Sequence, residues 1–327
     1  MTYKKLFYLL VFFIGIAHAK ITPPIKSECI EYTEPSSKLQ CNHFNDHMTP
    51  TVLYRLGPGR NNVAQGIALE SDKRILYSLH VTGNPEQGVL NRFIDIDGKG
   101  KLVAIDYQKP SSLIGHQGIT IIPGSDFLLS STGNGIKNKG WYISLFKYTP
   151  YDAPSSFSSI QVFDSSYSTT ANTMPVVTPD SNHLLVRGRI NNHNIIRVYD
   201  LTKINFLQSS DIRKKPSFEW QVDDEVTKDK YYFQAITADN NFVYILSGKA
   251  GKEHKRLYTY LLDGTLVSKA DNVILGEKDA ISSGKEGHWE PEGMAIDSRK
   301  KELYMLFAVG DKGKRLGNIY KLELHEH

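Results

Sequence analysis

The sequence predicts an all-β fold, a five-bladed β-propeller with four strands per blade. One observation is a short motif that begins at Gln65, Gln117, Thr173, Gln234 and Glu292, so that it returns every 52 to 61 residues. Repeats of this length are typical of radial or stacked arrays. The other observation is that each copy is followed by a Pro-, Asp-, Asn- or Ser-containing turn and then by strand-like segments. Four strands in each of five repeats predict five blades around one axis; two packed β-sheets are the alternative architecture.

Each repeat follows the same internal order. The motif begins a buried first strand, an apolar second strand follows the turn, and the third strand alternates apolar and polar residues. Fourth strands are expected at residues 102–105, 160–163, 218–221 and 273–275. The fifth repeat ends after its third strand, while residues 52–56 precede the first motif, where a fourth strand is expected. We therefore predict that this N-terminal strand pairs in the last blade and closes the ring, which removes an open sheet edge.

The N-terminus has the pattern of a secretory leader. Lys4 and Lys5 precede an apolar run over residues 6–16, and Ala17-His18-Ala19 has the small residues of a cleavage site. A single-pass anchor is the alternative, although the run is short for a membrane span. The predicted segments are a signal peptide, an N-terminal arm and the propeller, at residues 1–19, 20–50 and 51–327.

The two cysteines, Cys29 and Cys41, both lie in the predicted arm. Because a signal peptide directs the chain to an oxidising compartment, we predict a disulfide between them. A metal pair assisted by His43 and His47 is the alternative. The net charge of +4 is small, so nucleic acid is not indicated as a partner. We expect a secreted or periplasmic bacterial protein, a monomer without stable membrane insertion.

Propeller topology brings two sets of segments to one face: the residues before each motif, and the loops between second and third strands. We call this the loop face, and the opposite one the turn face. Four of the five loops carry Lys or Arg, and the segments before the motifs carry imidazoles and aromatic rings, which suits an anionic polymer or a sugar. Solubility is the alternative reason for exposed Lys residues. The candidate ligand-binding residues are Gln65, His80, His116, Gln117, Arg187, Arg189, Gln234, Lys249, Lys252, His288, Trp289, Glu290 and Glu292.

The first residues of the motifs are expected at the central channel. Their amides and the Glu292 carboxylate would either contact a ligand or hydrogen-bond neighbouring blades and hold the ring. A metal-dependent propeller hydrolase, similar to a phosphodiesterase or a lactonase, would use Glu290 and Glu292 to hold Ca²⁺. Such a site needs further acidic oxygens, and the equivalent positions in the other repeats are neutral. We therefore predict a binding protein without catalytic residues or a cofactor, and keep the Ca²⁺-dependent hydrolase as the alternative.

The motifs also resemble those of a known group of propellers. The segments that carry the resemblance are Gln65-Gly66-Ile67-Ala68, Gln117-Gly118-Ile119-Thr120, Val177-Thr178-Pro179-Asp180, Gln234 with residues 244–250, and Trp289-Glu290-Pro291-Glu292-Gly293-Met294. Over residues 51–327 the chain is similar to teichoic-acid-biosynthesis-protein-C-like and phage receptor-binding propellers, a group related to bacteriocins of the helveticin J type. The resemblance implies recognition of a cell-wall polymer at a bacterial surface, or antagonism of the bacteriocin type, and it transfers no catalytic residue. The third repeat departs from the pattern, because Thr173-Met174-Pro175 stands where Gln-Gly-Ile is expected.

Overall fold

Five sheets of mainly antiparallel strands surround a central channel, which confirms the five-bladed β-propeller. The predicted signal peptide, Cys41 and therefore the predicted disulfide lie outside the described residues. The computed structural model describes residues 28–29, 43–44, 52–56, 64–164, 172–311 and 314–325.

The described residues form twenty-three strands, one α-helix and three 3₁₀ segments. The strands are β1 (Glu28–Cys29), β2 (His43–Phe44), β3 (Val52–Leu56), β4 (Ala64–Glu70), β5 (Ile75–Thr82), β6 (Gln87–Phe93), β7 (Gly100–Leu102), β8 (Asp106–Ser111), β9 (Ile114–Ile121), β10 (Phe127–Thr132), β11 (Tyr142–Lys147), β12 (Ser155–Gln161), β13 (Met174–Val177), β14 (His183–Ile190), β15 (His193–Asp200), β16 (Phe218–Gln221), β17 (Tyr232–Ala238), β18 (Phe242–Gly248), β19 (Lys255–Leu261), β20 (Leu266–Val273), β21 (Trp289–Asp297), β22 (Glu302–Val309) and β23 (Leu316–His325). The helical segments are α1 (Glu277–Ser283) and the 3₁₀ turns Lys139–Trp141, Phe206–Gln208 and Asp224–Lys230.

Four blades are consecutive in the chain, and the fifth joins its two ends. Blade 1 consists of β4, β5, β6 and β8, blade 2 of β9 to β12, blade 3 of β13 to β16, and blade 4 of β17 to β20. Blade 5 consists of β21, β22 and β23, with β3 as its fourth strand. The β3 strand pairs antiparallel with β23, in a register that places Tyr54 opposite Ile319. The predicted closure of the ring by residues 52–56 is confirmed.

Short segments cover the outer edges of the last two blades. In blade 5, β7 pairs in parallel with β3, and β2 pairs with the end of β23. In blade 4, β1 pairs antiparallel with β20. These additions cover backbone groups that an exposed edge strand would leave open to another chain.

Two predicted fourth strands were wrong in position. In blade 1 the fourth strand is β8 rather than 102–105, and β7 instead pairs with blade 5. In blade 4 it is β20, which only ends where 273–275 was predicted to begin. The reason is that outer strands face solvent and carry polar residues with few apolar ones to reveal a period. In β8, for example, Asp106 is paired with Arg92 of the adjacent strand.

The hydrophobic core is divided into five layers, each between two adjacent blades. Between blades 1 and 2, for instance, Leu79 and Leu90 pack with Ile119 and Phe146, and all four are at most 6% exposed. Burial of such side chains contributes roughly 1.5–3 kcal/mol each. Because every layer joins two neighbours, the layers also hold the starts of the five innermost strands at defined places around the channel.

Candidate functional site

The first residue of the motif lies in a β-bulge in four of the five blades. Gln65, Gln234 and Glu292 each have no partner in the ladder between first and second strands, where the register shifts. In blade 2 the shift is wider and includes Gln117, whose φ is +63°. Bulges redirect a side chain out of the sheet plane. In blade 3 the pairing from Met174 to Val177 is continuous, so this blade has no such bulge.

The glycine that follows the bulge permits close contact between neighbouring innermost strands. A Cβ on Gly293 would lie 2.9 Å from Cα of Gly66, and one on Gly118 would lie 2.8 Å from Cα of Met174. Gly118 also has a φ of +75°, a conformation that L side chains rarely adopt. The two residues of the Gln-Gly pair therefore act together at the channel. The bulge turns the polar side chain inward, and the glycine lets the innermost strands of neighbouring blades approach.

A chain of hydrogen bonds links the bulged residues of blades 2 and 4 to Glu290 of blade 5. The Gln117 amide donates to Oε1 of Gln234 at 2.8 Å, and Gln234 in turn donates to Oε1 of Glu290 at 3.0 Å. The other oxygen of Glu290 accepts from the Arg315 guanidinium at 2.6 Å. Glu290 and Arg315 are 20% and 17% exposed, so this end of the chain reaches solvent at the loop face.

A second set of contacts joins blades 1, 2 and 5. Nε2 of His116 donates to Oε1 of Gln65, and Nδ1 of His116 lies 3.5 Å from Oε2 of Glu86. The Gln65 side chain also hydrogen-bonds Glu292. The His116 side chain is 32% exposed, whereas Glu292 is buried. We call Gln65, His116, Gln117, Gln234, Glu290, Glu292 and Arg315 the mouth network.

The two carboxylates of the mouth network differ in their surroundings. Burial and the neighbouring Glu290 charge raise the pKa of Glu292 well above its usual value, although Arg315 and the Gln65 hydrogen bond act in the opposite direction. Glu290 instead forms an ion pair with Arg315 at 2.6 Å. The arrangement therefore places a buried carboxyl group that resists ionisation behind one that is paired with an arginine.

The turn-face half of the channel is different in character. It contains a cavity of about 190 Å³. Its walls include one apolar side chain from each blade, namely Ile67, Ile119, Val176, Ile236 and Met294. Four of these residues lie two positions after the bulged polar residue, so a single motif supplies both halves of the channel.

The loop face carries paired charges of both signs. Lys249 lies 3.4 Å from Glu253, and Nδ1 of His288 lies 3.3 Å from Glu286. The His116–Glu86 and Arg315–Glu290 contacts follow the same pattern. The sequence predicted a cationic rim; in the structure, carboxylates accompany several of its cations. Some come from the same loop and others, such as Glu86 beside His116, from a neighbouring blade.

Comparison with known proteins places the chain in a family. The model of the phage 5-bladed beta propeller receptor binding platform domain matches residues 145–321, which is more than half of the chain. The chain belongs to this family. The predicted resemblance to phage receptor-binding propellers is thereby confirmed.

One solved structure shares the fold of this member of the phage propeller family. The tail fiber of Staphylococcus aureus phage P68 is 17% identical with a TM-score of 0.56, over 84% of this chain and 52% of the fiber chain. The chain thus spans about half the length of that fiber. A luciferin-regenerating enzyme is 13% identical with a TM-score of 0.45, over 80% of this chain and 91% of its own. No curated protein matches the chain.

Three predicted ligand-binding residues of this family member lie inside the blades. His80 is 5% exposed and its Nε2 is 2.8 Å from the Ser78 hydroxyl. Arg187 is buried against the Phe233 ring and donates to Asn194, and burial together with the nearby Arg189 lowers its pKa to about 10. Trp289 is 1% exposed. Their prediction as rim residues was wrong because strand alternation turns these side chains into the core between blades.

The remaining predicted residues stay at or near the loop face of this phage-family propeller. Lys252 is exposed, and Arg189 is partly exposed, with its Nε donating to the Asn192 carbonyl at 3.3 Å. Lys249 lies over the Tyr231 ring, with its Nζ 5.5 Å from the centroid. His288 is 36% exposed in its side chain.

Glu86 and Lys255 also shape this face, although the sequence did not indicate either of them. Glu86 belongs to a loop of blade 1 and reaches His116 of blade 2. No spacing rule in the sequence indicates such a contact between blades. Lys255 looks like one more surface lysine in the sequence, yet it is 0% exposed.

Among the residues that the structure describes, no group of three or more His, Cys, Asp or Glu side chains is placed to hold a metal ion. No helix in the same part of the chain is long and apolar enough to cross a membrane.

Proposed function

We propose that this propeller binds a receptor on the bacterial cell surface, a hydroxyl-rich or anionic glycan such as a wall polymer, through its loop face and without chemical turnover. Membership in a phage receptor-binding platform family supports a receptor as the partner. The observation that carries the proposal is the mouth network, which brings polar side chains of four blades together around the channel entrance. The protein acts outside the cytosol, in agreement with the predicted leader.

The chemistry of the mouth network suits sugar hydroxyls. Amides, imidazoles and an arginine–carboxylate pair offer donors and acceptors side by side, and a hydroxyl group needs both. Because His116, Glu290 and Arg315 are each partly exposed, a ligand at the channel entrance can reach them. Binding sites of this kind place a few polar groups that fix the orientation of a ligand.

Aromatic rings and cations beside the network fit the rest of such a polymer. Tyr232 is 60% exposed, beside Tyr231, at the start of the innermost strand of blade 4. Exposed aromatic faces stack on the apolar faces of sugar rings. Lys252 and Lys314 are exposed on the same face and suit phosphate or carboxylate groups of the polymer. Since several other cations already have carboxylate partners, hydroxyl recognition is expected to contribute more than net charge.

The test measures binding of the purified chain to a glycan array and to isolated wall polymers. His116→Ala removes one exposed donor of the network and should weaken binding about tenfold, as loss of a central contact does in other interfaces. Lys252→Ala should weaken binding to phosphate- or carboxylate-bearing polymers by a smaller factor and reduce the salt dependence.

Lys203→Ala is the matched control for that test. Lys203 is 76% exposed and lies between β15 and β16, on the turn face. The Lys203→Ala variant should bind the polymer like the wild type. Equal binding by all four proteins would contradict a role for the loop face, and absence of binding to every polymer would contradict the glycan as the receptor.

A further inference from the structure

The ammonium group of Lys255 lies at the centre of a loop on the loop face. Its Nζ donates to the carbonyls of Lys249 at 3.1 Å, Gly251 at 3.3 Å and Glu253 at 2.5 Å. Residues 249–254 are the loop between the second and third strands of blade 4, and they wrap around this single group. Three carbonyls satisfy the three N–H donors of a lysine ammonium.

The indole ring of Trp289 forms the other wall of the same site. Lys255 Nζ lies 4.0 Å from the centroid of this ring, within the range of a cation–π interaction. The Trp289 backbone N–H donates to the Gly251 carbonyl at 3.3 Å, so the loop is also joined to the first strand of blade 5. Lys255 and Trp289 are 0% and 1% exposed. Such burial leaves little freedom for the lysine or for the carbonyls it holds.

The backbone of the loop is adapted to this arrangement. Gly251 has a φ of +155°, and a Cβ at this position would lie 2.1 Å from Oε2 of Glu253. A Cβ on Gly248 would lie 2.8 Å from Cδ of Lys255 and 2.9 Å from Cγ of Pro291. Gly248 therefore lets the chain approach the lysine, and a larger residue there would displace it; Gly251 supplies a backbone conformation that L side chains rarely adopt.

The loop carries side chains that the proposed receptor would meet. Lys249 and Lys252 lie within it, and Cε of Lys252 would be 3.5 Å from a Cβ on Gly287, next to His288. His254 contributes its carbonyl to the Tyr231 hydroxyl at 2.8 Å. The same loop thus holds two cations and the aromatic ring of Tyr231 in place, and Tyr231 lies three residues before Gln234 of the mouth network.

We infer that Lys255 is a positioning residue for receptor binding, which keeps the 249–254 loop in its binding conformation through three backbone carbonyls and the Trp289 ring. The inference rests on the proposed function of the loop face. Lys255 itself touches no receptor, because its ammonium is enclosed by the chain. Its effect is to hold Lys249, Lys252 and Tyr231 in position before the receptor arrives, which lowers the cost of ordering them on binding.

The charge of Lys255 makes the order of the 249–254 loop dependent on pH, which offers a second way to test the inference. Burial lowers its pKa to about 8, opposed by the Glu253, Glu290 and Glu277 carboxylates and assisted by Lys249. The folded protein therefore loses the ammonium as the pH rises above about 8. A neutral amine has only two N–H donors and no cation–π attraction, so the loop should loosen in that range.

The test combines hydrogen exchange with binding. In Lys255→Met, which keeps a long buried side chain without donors, amide protection in 249–254 should fall about tenfold or more, since local opening controls exchange there. Binding of the wall polymer should weaken about tenfold, in line with the loss of preorganised contacts. Lys269→Met is the matched control in the same blade; Lys269 is 13% exposed and pairs with the Glu225 and Asp271 carboxylates instead of loop carbonyls. It should leave loop protection and binding unchanged.

A pH series and a milder variant guard against simple loss of folding. Wild-type loop protection, corrected for intrinsic exchange rates, should decline above about pH 8, and Lys255→Met should show no such decline. Trp289→Phe keeps an aromatic ring beside the ammonium group, so amide protection in residues 249–254 should fall less in this variant than in Lys255→Met. Unchanged protection in Lys255→Met, or reduced protection with wild-type binding, would overturn the positioning role. If the wild type binds no polymer, the proposed function fails, and exchange alone still decides whether Lys255 orders the loop.

Discussion

The two halves of the central channel are built from the same motif yet differ in chemistry. At the loop face, bulged polar residues form a hydrogen-bonded network; at the turn face, apolar residues two positions later line a cavity. The difference shows how one repeat can supply a polar surface at one face of the channel and an apolar one at the other. The bulge leaves the first residue of the motif without a partner in the ladder. The third residue of the motif is paired again, and its side chain faces the channel axis.

Blade 3 shows the effect of an altered motif, since Thr173-Met174-Pro175 replaces Gln-Gly-Ile there. Thr173 is 0% exposed, and its hydroxyl donates to the Tyr142 carbonyl of blade 2 at 2.7 Å. Gln117 of blade 2 then bonds with Gln234 of blade 4, so the network passes over blade 3. The mouth is consequently asymmetric, with its charged residues concentrated on blade 5.

The largest expected effect comes from a larger side chain at the close contact between the innermost strands of blades 2 and 3. Gly118→Ala should lower the free energy of unfolding by about 3 kcal/mol, because it adds left-handed backbone strain to a 2.8 Å clash with Met174. Chemical denaturation measures the change. Gly98→Ala is the control, since a Cβ there meets nothing within 4 Å; a loss of equal size in both variants would contradict the close approach of blades 2 and 3.

Placing an amide in the apolar half should break the distinction between the halves. Ile67 is 1% exposed, and Ile67→Asn should cost about 2 kcal/mol through lost apolar burial and an amide without partners. Ile67→Val, which retains the apolar character, should cost less than half as much. A thermal or denaturant melt that ranks the two variants equally would show that the turn-face half does not depend on its apolar lining.

The two mouth carboxylates should respond to amide substitution with opposite signs. Glu290→Gln removes the charge that holds Arg315 and should lower stability at pH 7 by about 1 kcal/mol. Glu292→Gln should raise stability there, because the pKa of Glu292 is raised in the folded state and its contribution is lost as the pH rises through that value. Unfolding measured at pH 4 and pH 8 checks the sign. A stabilisation by Glu292→Gln that is equal at both pH values would contradict the assignment.

The smallest expected effect is the coupling across the mouth. A double-mutant cycle of Gln117→Ala and Gln234→Ala should give a coupling energy of about 0.5–1 kcal/mol, typical of a hydrogen bond between neutral groups. The bond is 2.8 Å long and partly buried. A cycle of Thr173→Ala with Gln234→Ala serves as the control and should be additive within error, since Thr173 bonds to blade 2 instead.

Much of the fold could be predicted because its causes are local. The repeat length, the turn residues and the alternation of the third strands depend on near neighbours, and each is visible without tertiary contacts. The closing strand β3 was predicted because the fifth repeat lacked a fourth strand. The outer strands β8 and β20 were misplaced because solvent exposure removes the apolar period that marks a strand.

The candidate site was predictable only in part. Gln65, Gln117, Gln234 and Glu292 stood out through their repetition, and all four contribute to the mouth network. Whether a polar side chain faces the rim or the core was not readable, and His80, Arg187 and Trp289 are the examples. Burial depends on strand register and on the neighbouring blade, both of which are set by residues far away in the sequence.

The sequence by itself determined the number of blades, the strand that closes them and the polar residues that return with each repeat, since a period survives without knowledge of contacts. Only the tertiary structure decided how these residues connect. It paired Gln117 with Gln234 past blade 3, placed Glu86 beside His116 and Arg315 beside Glu290, and buried Lys255 against Trp289. The physical reason is that hydrogen bonds and ion pairs act over a few ångströms, between residues that only the closed ring brings together.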